Sequence, residues 1–129
     1  VRLDHIVFFT LNIAQNKIVG RILMILSTSA TSGNGYFQVD ISFARDGQTN
    51  NAQTTGGTAF AVAAKTGANQ LNYTDLIRLP SGSSTGINVK LLRPGDILGI
   101  KISRIASNVS DTLSAAVLLY GVIITYNNL

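Results

Sequence analysis

The chain contains no cysteine and no tryptophan, and it has only one methionine, one histidine and two prolines. The absence of cysteine excludes disulfide bonds and thiolate metal sites. Because His5 is the single histidine, one chain cannot supply a histidine cluster for zinc, and only copies of His5 meeting on a three-fold axis would form one. The residues therefore predict no metal ion and no other cofactor.

Charged residues are also scarce. They make up 12% of the chain, whereas soluble domains carry about 25%, and apolar residues make up 46%. Part of the surface is therefore expected to carry uncharged polar side chains, and part to be buried by a partner. The ten lysine and arginine residues give a net charge of +4 but form no cluster, which predicts a mildly basic solvated surface rather than a nucleic-acid site.

Long apolar runs are missing as well. No stretch of about 18 consecutive apolar residues occurs, so no membrane span is predicted. Residues 1–4 do not have the form of a signal peptide, and the missing initiator methionine indicates processing or an upstream segment outside this sequence. The length of 129 residues predicts a single domain over residues 1–129.

Apolar and polar residues alternate with a period of two along much of the chain. In residues 35–45, Phe37, Val39 and Ile41 alternate with Gln38 and Asp40, which predicts a strand with one buried face. Further strands are predicted at residues 6–9, 18–30, 58–65, 71–79, 87–91, 97–105 and 112–126, with residues 46–57 as a polar surface loop. About eight strands without a helix predict an all-β, antiparallel sandwich or barrel.

The last predicted strand is apolar on both faces. One face carries Leu118, Tyr120, Val122, Ile124 and Tyr126, and the other carries Leu113, Ala115, Val117, Leu119, Gly121 and Ile123. Burying a large apolar side chain stabilises a protein by roughly 1.5–3 kcal/mol, so the second face is expected to meet a partner unless loops of the same chain cover it. The predicted subunit interface consists of Phe8, Leu23, Ile25, Val117, Leu119, Gly121 and Ile123.

No catalytic constellation is recognisable. All six acidic residues are aspartates, and most of them stand in predicted turns, where aspartate bonds its own backbone. A Ser-His-Asp triad would have to use His5, and no Gly-x-Ser-x-Gly nucleophile elbow occurs. The chain is therefore predicted not to be an enzyme.

The last third of the chain resembles a known family. Residues 92–98 (LRPGDIL), 101–104 (KISR), 110–114 (SDTLS) and 118–126 (LLYGVIITY) follow the order of the C-terminal half of jelly-roll modules in bacteriophage virion proteins. Those modules occur in capsid decoration proteins, head fibres and tail-fibre tips, and the same order is similar in plan to trimeric heads of the tumour-necrosis-factor and C1q type. The resemblance implies a jelly-roll sandwich, a homotrimer and a location in the virion. In this part of the chain Arg104, Asp111 and Thr112 are expected to play structural roles at strand ends.

Three functional hypotheses follow. The first is a virion structural protein on the particle exterior, assembling with itself and with other virion proteins. The second is a receptor- or glycan-binding fibre tip, whose recognition loops would include Asn34, Asn50, Asn51, Ser83 and Ser84, because polar loops often carry binding sites. The third is a small enzyme on the same fold, which would require a cluster of acidic residues or a metal site.

Overall fold

The computed structural model describes residues 7–12, 17–44, 47, 53–56, 59–78 and 95–128. Within these ranges the chain is all-β and contains no helix, which confirms the all-β part of the predicted fold class. The strands are β1 (Val7–Asn12), β2 (Lys17–Thr28), β3 (Asn34–Ala44), β4 (Gln53–Gly56), β5 (Phe60–Ala63), β6 (Asn72–Arg78), β7 (Ile97–Arg104) and β8 (Val117–Asn128).

The strands form two antiparallel sheets. The first sheet has the order β1-β7-β3-β4, and β5 also pairs with β3; the second has the order β6-β2-β8. The chain passes from one sheet to the other between β1 and β2 and between β2 and β3. It does so again at each of the three steps from β5 through β6 and β7 to β8. Strands that are distant in sequence are therefore neighbours in space, as in the pairing of β2 with β8.

The core lies between the two sheets and takes side chains from both. The first sheet contributes the fully buried residues of β3 and β7, and the second contributes those of β2, β6 and β8. The core residues are Ile22, Met24, Leu26, Phe37, Val39, Ile41, Leu76, Leu98, Ile100, Ile102, Leu113, Val117 and Leu119. These positions repeat every second residue within β2, β3 and β7, because successive side chains of a strand point to opposite faces.

Two strands follow the sequence pattern closely. In β3, Phe37, Val39 and Ile41 are buried, whereas the intervening Gln38 and Asp40 are partly exposed, as predicted. In β7, Leu98, Ile100 and Ile102 are buried in the same way. Each of these strands has one apolar face against the core and one wetter face.

Other boundaries differ from the prediction. Strand β4 lies within residues 46–57, which were predicted to be a loop, and it pairs with the far end of β3 through Asp40–Phe43. The last strand begins at Val117 rather than at residue 112. Asn34 and Gly35, a dipeptide typical of tight turns, are the first residues of β3. The strand predicted at residues 87–91 lies outside the described residues.

Arg104 stabilises the connection between β7 and β8 through hydrogen bonds. Its guanidinium donates two hydrogen bonds to Asp111, at 2.7 and 2.8 Å, and two more to the carbonyl oxygens of Leu113 and Ala115. The Asp111 carboxylate also accepts a hydrogen bond from the backbone N–H of Tyr36 at 2.9 Å. The chain leading into β8 is thereby held against the start of β3.

Gly33 lets this connection approach closely. Its φ of +90° is unfavourable for other residues, and a Cβ there would lie 2.7 Å from the carbonyl oxygen of Thr112. Next to it, the Thr112 backbone N–H donates a hydrogen bond to the Asn34 carbonyl oxygen, and the Asn34 backbone N–H donates one to the Thr112 hydroxyl. The position of Val117 at the start of β8 follows from these contacts.

Candidate subunit interface

The second sheet has an outer face, which points away from the core. Residues that pair across antiparallel strands project from the same face, so the strand register defines it. The register gives one row of Asp75, Leu23 and Ile123, a second row of Tyr73, Ile25 and Gly121, and a third of Ser27 and Leu118. Leu23 is buried but does not belong to the core cluster, which agrees with its place on this outer face.

Large apolar side chains on the outer face are substantially exposed. The exposed fractions are 58% for Tyr73, 42% for Leu118, 60% for Tyr120 and 41% for Ile123. In the region that the structure describes, Tyr73 lies on β6 and the other three lie on β8, with Leu23 and Ile25 of β2 on the same face between these strands. Contiguous exposed apolar surface of this kind is typical of interaction sites.

A β-bulge in β8 decides which residues reach this face. Leu26 pairs with Leu119 and Ile25 pairs with Gly121, so Tyr120 is an extra residue opposite β2. Before the bulge Val117 and Leu119 point into the core. After it the inward positions become even-numbered, and Val122, Ile124 and Tyr126 pack against the core.

Because of the bulge, two of the predicted interface residues lie in the core rather than on the outer face. Val117 and Leu119 were expected to meet a partner, but each is 2% exposed within the core of this chain, because the alternation changes phase between them and Ile123. Leu23, Ile25, Gly121 and Ile123 lie on the outer face, as the register shows. Their contact with a partner stays a prediction.

Phe8 stands apart from the other predicted interface residues. It belongs to β1, where its backbone pairs with Lys101 in the first sheet, and its side chain is not among those described. The prediction did not place Leu118, Tyr120 and Tyr73 on the outer face. Tyr120 and Leu118 were assigned to the inner face because a constant alternation was assumed, and Tyr73 stands in a strand with too few apolar residues to reveal its face.

Polar contacts border the outer face at two places. At one end the Arg21 guanidinium donates two hydrogen bonds to the Asp75 carboxylate, at 2.5 and 3.1 Å. At the other end the Ser27 hydroxyl donates a hydrogen bond to the Tyr120 hydroxyl at 3.1 Å. The first contact compensates the charge of the Asp75 carboxylate, and the second holds the exposed Tyr120 ring against Ser27.

Strand β8 stands at the end of its sheet. Among the described residues it pairs with β2 alone, so its other edge has no strand partner there. The strand is 12 residues long and contains no charged residue and no proline. Natural edge strands are usually short or carry such residues, because these prevent pairing with another chain.

Of the residues named for the predicted recognition loops, Asn34 is the one that the structure describes. Asn34 is exposed at the start of β3, at the end of the molecule where β5 ends and β6 begins. Asn50, Asn51, Ser83 and Ser84 lie outside the described residues. Whether these loops bind a receptor or a glycan stays a prediction.

A crevice opens between the two sheets near Asn34. It encloses about 340 Å³ including its open mouth, and its floor includes Leu26, Phe37 and Val62. Lys65 and Gln70 stand on its lining. Among the described residues, no three His, Cys, Asp or Glu side chains lie close enough together to hold a metal ion.

Comparison of the chain with protein-family models, with curated proteins and with solved structures gave no match. In the part of the chain that the structure describes, no helix has the length and apolar character required to cross a membrane. The function is therefore inferred from the residues of the chain itself, and the outer face of the second sheet is the feature that carries it.

Proposed function

We propose that this protein is a structural subunit of a virus particle, a jelly-roll domain that assembles through the outer face of its second sheet. The observation that carries the proposal is the cluster of exposed Tyr73, Leu118, Tyr120 and Ile123 on that face. The role is mechanical: subunits hide this apolar surface against one another and so hold a shell or a fibre together. No catalytic step is part of it.

The order of strand pairing supports the jelly-roll fold. Strand β1 pairs with β7, β2 pairs with β6, and β3 pairs with β4 and β5, so that the pairs are nested around the β3–β4 turn. A long two-stranded ribbon has this nesting, and the additional pairs β2–β8 and β3–β7 arise when the ribbon is wrapped. A wrapped ribbon of this type is how two Greek keys form a jelly roll.

The trimer follows from the resemblance of the C-terminal strands to modules that assemble as trimeric heads. In a ring of three, every subunit contacts two neighbours, and closed rings are a common solution for identical subunits. Further virion proteins would cover additional surface.

Placement on the exterior of a virion rests on the composition and on the resemblance of the C-terminal strands to bacteriophage jelly-roll modules. A surface with 12% charged residues and a net charge of +4 has little like-charge repulsion between copies. Such a surface favours dense packing of many identical chains. The proposed partners are therefore copies of the chain and neighbouring proteins of the particle.

The assembly is tested by mass and by a charge placed on the outer face. Light scattering at micromolar concentration is expected to give three times the chain mass of 13.7 kDa. Ile123→Asp is expected to yield folded monomer, because a carboxylate would be desolvated in the interface without a partner. Circular dichroism checks that the variant keeps its sheet content.

Thr10→Asp is the matched control. Thr10 is exposed on β1 in the other sheet, so the variant adds the same charge to a strand away from the proposed interface. It is expected to remain a trimer. A parent protein that stays monomeric at all concentrations, or an Ile123→Asp variant that assembles like the parent, contradicts the proposal.

A further inference from the structure

Neither the backbone conformation at position 121 nor the described residues around it require glycine there. Gly121 stands inside β8, where glycine weakens a strand because it has no side chain to pack and loses more backbone entropy than other residues. The positive-φ glycines among the described residues are Gly33, Gly47 and Gly95, so Gly121 has a backbone conformation that other residues adopt. The bulge therefore does not demand glycine at this position.

Crowding within the chain does not explain Gly121 either. Among the described residues, a Cβ built at this position would meet no heavy atom within 4 Å when its two neighbours in the chain are left out. At Gly33, Gly35 and Gly99, by contrast, an added Cβ would lie within 3 Å of another atom of the same chain. Gly121 thus leaves an open notch on the outer face of the second sheet.

The same face carries a side chain suited to such a notch. Tyr73 lies in the same row as Gly121, on the opposite side of Ile25, and its side chain is 58% exposed. The two positions are separated by two strand spacings, or roughly 10 Å. Each copy therefore presents an aromatic projection on its β6 side and a notch on its β8 side.

We infer that Gly121 is the point where a second copy of this chain approaches most closely, with the Tyr73 ring of that copy seated over the Gly121 backbone. The inference rests on the proposed self-assembly and names its contact. Because projection and notch lie on opposite sides of the face, a head-to-tail ring uses both on every subunit. The contact buries an aromatic side chain against backbone, the type of residue that dominates interface energetics.

The charges of the face permit a second copy of the same sequence. Each copy carries a net charge of +4, but the rows that pass through Leu23, Ile25 and Ser27 contain a single charged residue, Asp75, and its carboxylate is paired with Arg21. In these rows an approaching copy therefore meets uncharged side chains and one neutralised carboxylate. A strongly basic partner would find the Asp75 carboxylate already paired with Arg21, and a strongly acidic partner would find no positive charge in these rows.

The test uses Gly121→Ala together with Tyr73→Ala in the full chain. Gly121→Ala is expected to fold with unchanged or higher stability, because alanine has space in its own chain and restricts the unfolded state. Its trimer dissociation constant is expected to rise about tenfold or more, since the added methyl group would overpack the contact. Sedimentation over a concentration series gives the dissociation constant, and urea unfolding of the dilute monomer gives the stability.

The double variant separates this contact from a general effect on the surface. If Tyr73 of one copy meets Gly121 of another, the effects of the two substitutions on dissociation are not additive. Thr10→Ala, at an exposed position of β1 in the other sheet, is the control and is expected to leave the dissociation constant unchanged. Assembly of Gly121→Ala with the affinity of the parent overturns the inference and leaves the proposed function standing, whereas a monomeric parent overturns both.

Discussion

Arg104 and Asp111 form an ion pair that is almost fully enclosed, with side-chain exposures of 9% and 2%. Enclosure removes water from both charges, so each depends on the hydrogen bonds that the other and the surrounding backbone provide. The Arg104 guanidinium, assisted by the N–H groups of Tyr36 and Leu113, lowers the pKa of Asp111 below its ordinary value, although burial acts in the opposite direction. From the sequence, both residues were assigned to strand ends, but their pairing was not predicted.

Replacing Asp111 is expected to cost much more stability than replacing Asp75. Asp111→Asn leaves Arg104 buried without its counter-charge, and removing one partner of a buried ion pair costs about 3–5 kcal/mol. Asp75→Asn affects a pair that is open to solvent, so its effect on stability is expected to be small. Urea unfolding of the two variants at neutral pH provides the comparison, and equal losses would contradict the assigned role of Asp111.

The same ion pair makes the stability of the folded protein depend on pH. Because the folded-state pKa of Asp111 is depressed, its contribution is fully present above the unfolded pKa near 4 and is lost as the pH falls through the lower folded value. The parent is therefore expected to lose stability as the pH falls below about 4, and Asp111→Asn to lose less over the same interval. Unfolding midpoints measured across that range, with Asp75→Asn as control, test the expectation.

At the scale of the element, β8 shows why part of the fold was predictable and part was not. The alternation in β3 and β7 continues without interruption, so the buried Val39 and Ile100 follow directly from a period of two. In β8 the extra residue Tyr120 shifts the alternation by one, and every later side chain changes face. The bulge has no signal in the sequence, since its backbone does not require a left-handed glycine. Strand β4 was missed because a polar segment forms it by pairing with β3.

The phase shift in β8 is checked by truncating neighbouring leucines. Leu119→Ala is expected to destabilise the monomer by about 2–5 kcal/mol, because Leu119 is buried in the core. Leu118→Ala is expected to change monomer stability by less than about 1 kcal/mol and to weaken assembly instead. Urea unfolding below the concentration of assembly separates the two effects. Equal losses of stability would show that the faces of β8 are not distinguished as described.

At the scale of the whole molecule, the sheets are completed by strands from opposite ends of the sequence. Lys17 pairs with Asn128, and Thr28 pairs with Val117 at the other end of the same ladder. The periodicity predicted that strands exist and that both layers would be apolar inside, but it contains no information on which strands pair. The partners depend on how the nested ribbon is wrapped, which is a property of the chain as a whole.

This topology predicts slow folding. Distant pairs such as β2 with β8 must overcome the entropy of closing a long loop before they gain any contact, so refolding is expected within milliseconds to seconds rather than microseconds. Stopped-flow dilution from urea, with tyrosine fluorescence as the signal, measures the rate. Refolding within microseconds would mean that the distant strands are not needed for the folding barrier.

The uncharged edge of β8 affects how strongly the protein is expected to aggregate when it is produced alone. In the proposed assembly, neighbouring subunits cover the apolar surface beside this edge, whereas an unassembled subunit keeps a 12-residue edge that has no strand partner among the described residues. Production of the isolated protein at high concentration is therefore expected to yield fibrils or precipitate.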